Sequence, residues 1–136
     1  MKRMFMTCVL LCLMLIIPAE CAFATMDEGI MPTAENYVSA KATIAVENNQ
    51  IVVCGKMYGI SGKTTKVEIQ LYLQQYNDGR WVSIKEWDKV GNGASCVISE
   101  TSKAPKGYKY RARAICCAYA GGKGETTIKY SNEIIY

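Results

Sequence analysis

From residue 38 to the C-terminus, apolar and polar side chains alternate in short runs, each ending in a cluster of Gly, Asn, Asp, Ser or Pro. Successive residues of a β-strand point to opposite faces, so sustained alternation is the signature of a half-buried strand. The clearest run is 66–76. Val67, Ile69, Leu71 and Leu73 fall on one side of it, and Glu68, Gln70, Tyr72 and Gln74 on the other. Comparable runs cover 38–46, 51–58, 80–89, 94–100, 108–119 and 126–136, and no stretch repeats its apolar residues at a helical period. The separators are Glu47-Asn48-Asn49-Gln50, a Gly/Ser/Thr loop over 59–65, Asn77-Asp78-Gly79, Gly91-Asn92-Gly93, a loop holding Pro105 and Gly107, and glycines at 121, 122 and 124. Strands this frequent, with turns this close together, predict an all-β domain: a single antiparallel β-sandwich of about seven strands over 37–136.

The N-terminus follows a different pattern. Lys2 and Arg3 precede an apolar run over 9–17, Pro18 ends it, and Ala22 and Ala24 stand where signal peptidase reads small residues. This is the three-part export signal, and its apolar run is too short to span a bilayer as a helix. The expectation is a signal peptide over 1–24, cleaved after Ala24, and then a flexible leader over 25–36 that contains Pro32. The protein is expected to be secreted or held at the cell envelope, without stable membrane insertion. Sixteen basic against twelve acidic residues give a net charge of +4. That mild excess does not point to nucleic acid as a partner.

The central hairpin leaves one question open. If Asp78-Gly79 is a two-residue loop, Tyr76 faces Trp81 and Leu73 faces Ile84. Trp81, Trp87, Tyr72 and Tyr76 then share the outer face with Gln70, Gln74 and Ser83. If Asn77-Asp78-Gly79 is a three-residue loop, pairing slips by one and both tryptophans turn inward with Lys85 between them. The first register gives the more coherent core and would build an outward platform for a sugar or a protein. There, rings cover apolar faces and amides satisfy the polar rim. Otherwise the same rings would be half covered by Lys and Arg stems, or buried against the leader or another subunit. A second feature is Lys109, Arg111 and Arg113, which alternate onto one face of the 108–119 strand. This stripe would face teichoic acid, an acidic glycan or lipid headgroups, or would simply be a solvated strand face paired with residues such as Glu68.

Catalytic chemistry finds little support. The chain has no histidine, which removes Ser-His-Asp and Cys-His mechanisms and His-ligated metal sites. The cysteines lack CxxC spacing, and the 121–124 glycines precede no helix and so form no phosphate loop. Glu68, Glu86 and Asp88 lie nearest the hairpin, but a sandwich of this size offers no deep cleft in which carboxylates could hydrolyse a glycoside. No enzyme activity, metal or cofactor is expected.

The stretch "GYKYRARA", residues 107–114, is followed by a Gly-rich turn and a closing strand with Ser131. It resembles strands F and G of fibronectin type III and related immunoglobulin-like domains. That resemblance implies a corner tyrosine, with Tyr108 and Tyr110 as candidates. The whole mature chain also resembles a family of small exported Gram-positive bacterial proteins of unknown function. They share an "LQ…G-x-W" hairpin (here Leu73-Gln74 to Gly79-Arg80-Trp81), then "GY-x-YR", then a serine near the C-terminus. The cysteine spacing departs from antibody-type domains. A Cys54–Cys116 bridge between the sheets is therefore an expectation of topology alone, and one that an exported chain could form.

These readings predict a secreted, non-catalytic β-sandwich binding module. Its partner would be a cell-envelope or host glycan or protein, engaged through the Trp81/Trp87 face. The alternatives are a self-associating structural protein of the cell exterior and a small secreted toxin or inhibitor.

Overall fold

The alternating runs become eight strands in the computed structural model, which describes residues 34–136. They are β1 (Tyr37–Glu47), β2 (Gln50–Gly59), β3 (Lys66–Asn77), β4 (Arg80–Gly91), β5 (Ser95–Ser102), β6 (Lys109–Ala120), β7 (Lys123–Tyr130) and β8 (Ile134–Ile135). The signal peptide expected over 1–24 and most of the leader expected over 25–36 lie outside the described residues. All pairings are antiparallel. One sheet has the order β1-β2-β5; the other has β4-β3-β6-β7, with β8 also on β6. The two pack face to face as a β-sandwich, as the alternation predicted.

The inward positions make one core. Ile51, Val53 and Met57 of β2 meet Ile69, Leu71 and Leu73 of β3 and the alanines 112, 114 and 118 of β6, all essentially without solvent contact. Each large aliphatic side chain buried this way contributes about 1.5–3 kcal/mol. Small residues on β6 and Gly55 on β2 let the sheets approach. A Cβ at Gly55 would stand 3.1 Å from Ile69 Cγ2 and 3.4 Å from Ala114 Cβ.

Tight turns set the registers. Asp78 and Gly79 have φ of 49° and 82°, the left-handed pair of a two-residue type I′ hairpin. Glycine takes this conformation without a Cβ clash. Asn48 and Asn49 close β1 onto β2 in the same way.

The last expected strand, 126–136, is two pieces. Ser131 interrupts it by lending its hydroxyl to the ladder. Its Oγ accepts the Ala112 N–H at 2.7 Å and donates to the Asn132 carbonyl at 2.7 Å. The chain then rejoins β6 as β8, opposite Lys109 and Tyr110.

Tyr110 is the corner tyrosine. It is fully buried, its hydroxyl donates to the Pro105 carbonyl, and it accepts from Gln75 Nε2 at 3.0 Å. Tyr108, the other candidate, is 40% exposed. At the opposite end, Glu125 accepts the backbone N–H groups of Glu35 (2.9 Å) and Asn36 (2.7 Å). The Asn36 amide donates to the Lys123 carbonyl at 3.2 Å. The last two residues assigned to the leader are thus tied to the domain.

The cysteines correct one expectation. Cys54 lies on the outward side of β2, between inward-facing Val53 and Gly55, while Cys116 points into the core from β6. Side chains aimed away from each other cannot bridge. Cys54, Cys96, Cys116 and Cys117 are all free thiols.

Candidate functional site

The outer face of the larger sheet is where the singled-out residues meet. Cross-strand partners share a face, so the registers define its rows. Ser83, Gln74 and Arg111 form one row, and Glu86, Tyr72, Arg113 and Tyr130 the next. Asp88, Gln70, Ile115 and Ile128 follow, then Val90, Glu68, Cys117 and Thr126. Trp81 pairs with Tyr76 beside the hairpin turn.

Trp87 is the correction. The two-residue turn does put Trp81 outside, but a β-bulge between Leu73 and Gln74 shifts the register, pairing Leu73 with Lys85 and Gln74 with Ser83. The unpaired residue is Ile84. One extra residue reverses the parity of everything beyond it. Trp87 therefore stands opposite Leu71, half-buried against the core together with Ile84. Lys85 also falls on the inward parity, yet it is exposed because β4 is the sheet edge. The structure thus brings together Gln70, Tyr72, Gln74, Tyr76 and Trp81 and removes Trp87 from the group.

The basic stripe and the aromatic patch are a single surface. The Arg111 guanidinium lies between two rings, 4.3 Å from the centroid of Trp81 and 4.3 Å from that of Tyr130. Its Nε donates to Gln74 Oε1 at 2.9 Å, and Gln74 Nε2 in turn donates to Ser83 Oγ at 3.1 Å. Gln74 is buried by this arrangement. Arg113 sits 5.5 Å over Tyr72, and Lys109 5.8 Å over Tyr76, whose ring lies 5.2 Å from that of Trp81. Guanidinium groups favour such ring faces, at about 0.5–2 kcal/mol per contact. Burial first, and then the Glu86 carboxylate, raise the Tyr72 hydroxyl above its ordinary value.

Glu68, on this face, is engaged by its own neighbours. Glu68 pairs with Lys66 at 2.8 Å and accepts from the Tyr119 hydroxyl at 3.0 Å. The Lys66 and Tyr119 bonds hold its carboxyl below the ordinary carboxylate value. Hydrogen bonding with Cys117 and then with Glu68 pushes Tyr119 up to about 12. Glu133 pairs with Lys109 at 3.9 Å. Among the described residues, no carboxylate comes within salt-bridge distance of Arg111 or Arg113. Glu86 lies in the Arg113 row with Tyr72 between them. Below this row, a half-open depression of about 200 Å³ is lined by Glu68, Gln70, Ile115, Cys117, Tyr119 and Thr126.

Tyr130 escaped the sequence reading, as did the depression around Cys117. Tyr130 could have been found only by assuming the β6–β7 register, which places it opposite Arg113. The chain matches no family model, no curated protein and no solved structure.

Proposed function

We propose that this protein is an exported, non-catalytic binding module that holds a glycan of the cell envelope on the outer face of its β4-β3-β6-β7 sheet. The observation that carries this reading is the Trp81–Arg111–Tyr130 stack, fixed through Gln74 to Ser83 on the solvent side of the sheet. The surrounding surface keeps Tyr76 39% and Tyr130 49% exposed. Exposed rings beside amides and guanidinium N–H donors suit sugars, which offer apolar faces and hydroxyl-rich edges. A surface of this kind holds its ligand by contact area and needs neither a deep cleft nor a catalytic group.

The test is co-sedimentation of residues 25–136 with purified Gram-positive cell wall. Wild-type protein is expected to pellet with the wall, and Trp81→Ala to remain in the supernatant while keeping its circular dichroism spectrum. Equal pelleting of both proteins, or of neither, overturns the reading.

A further inference from the structure

The two central guanidiniums are held in a way that folding alone does not account for. Arg111 uses one N–H on Gln74, and no other hydrogen bond of its side chain is formed among the described residues. Arg113 forms none, and its Nε is a buried polar atom without a partner. A buried, unpaired N–H costs about 1–3 kcal/mol, and native proteins keep few of them. Among the described residues, neither side chain has a carboxylate within salt-bridge distance, although Glu68, Glu86 and Asp88 lie on the same face. Lys66 and Tyr119 occupy Glu68, and Tyr72 stands between Glu86 and Arg113. Two positive forks therefore stand side by side, flanked by Trp81, Tyr72 and Tyr130, with their terminal N–H groups unpaired among the described residues.

We infer that the glycan is acidic, and that Arg111 and Arg113 bind carboxylates of its sugar residues while Trp81 and Tyr130 cover the neighbouring ring faces. This inference rests on the envelope-glycan reading above and adds the ligand's charge to it. The planar guanidinium presents parallel N–H groups that match the two oxygens of a carboxylate. Residues two apart on a strand project to the same side, about 6.6–6.8 Å apart. Arg111 and Arg113 can therefore engage successive acidic groups of one extended chain. Stacking on aromatic rings limits the rotamers of both side chains before any ligand arrives, which lowers the ordering cost of binding.

Polygalacturonate and its fully methyl-esterified form share a sugar backbone and differ in carboxylate charge, so affinity electrophoresis or calorimetry on the pair isolates the inference. Wild-type protein is expected to bind the acid form at least about tenfold more tightly than the ester, the scale of one charged hydrogen-bonded contact. Arg113→Gln should reduce that preference to the part Arg111 supplies while keeping the weak binding to the ester, and Trp81→Ala should weaken both. Arg113→Lys, which keeps the charge and loses the fork, should fall between wild type and Arg113→Gln. Circular dichroism melts verify that each variant is folded. Equal affinity for acid and ester overturns the inference but leaves the glycan-binding face standing. Binding of neither polymer by wild type overturns it. So does tighter binding of dextran sulfate or a polyphosphate than of polygalacturonate, since that ranks charge density above carboxylate geometry.

Discussion

Single residues divide between those that hold the fold and those that stand apart from it, and the cysteines are the simplest case. Cys96 and Cys116 are buried, whereas Cys54 and Cys117 are partly accessible. A thiol reagent added to native protein is expected to label Cys54 and Cys117 and to reach the other two only after denaturation. Rapid labelling of all four would contradict the packing. Burial, reinforced by Cys96, pushes the Cys116 thiol up to about 11, while an unfolded cysteine ionises at about 8.5. Thiol ionisation therefore favours the unfolded chain at alkaline pH. The stabilising contribution is complete below the unfolded value and is lost as pH climbs toward about 11. Urea midpoints should fall between about pH 8 and pH 10.5. Cys116→Ala should fall less over the same interval. Arg113 behaves in the opposite sense. Its unpaired Nε is a cost in the folded state, so Arg113→Met should leave the melting temperature unchanged or raise it. A substantial drop would make Arg113 a structural residue.

Among the elements, the β3–β4 hairpin joins the two roles. Its type I′ turn and the bulge at Ile84 send Trp81 outward and Trp87 inward within one strand. Trp87→Ala is expected to cost about 2–4 kcal/mol in a denaturant titration, and Trp81→Ala about 1 kcal/mol from lost stacking. Equal costs would contradict the bulge. The strands themselves were legible because alternation such as Val67-Glu68-Ile69-Gln70 has one reading. The bulge was not. Trp81 and Trp87 are six apart and share parity in any regular strand, so only an inserted residue could separate them, and Trp81-Val82-Ser83-Ile84-Lys85 marks no such point. Similarly, Arg111 and Arg113 were visible as a stripe, but their ring partners come from three other strands and follow from pairing alone. The break at Ser131 was hidden because a hydroxyl can replace a ladder bond without changing the hydrophobic pattern.

At the scale of the whole molecule, the two outer faces differ. The β1-β2-β5 sheet carries mostly small and polar outward residues, among them Thr43, Cys54, Ser99 and Thr101. The larger sheet carries the rings and the guanidiniums. Binding is proposed to occur on this second face, and the two tryptophans provide an internal control. The most direct measurement is a ¹⁵N nuclear magnetic resonance titration of residues 25–136 with galacturonate oligosaccharides, following the indole N–H of each tryptophan and the Nε–H of each arginine. The Trp81, Arg111 and Arg113 signals are expected to shift together along one binding curve while the Trp87 signal stays in place. Shifts at Trp87, shifts confined to β1, β2 and β5, or no shift at all would contradict binding on this face.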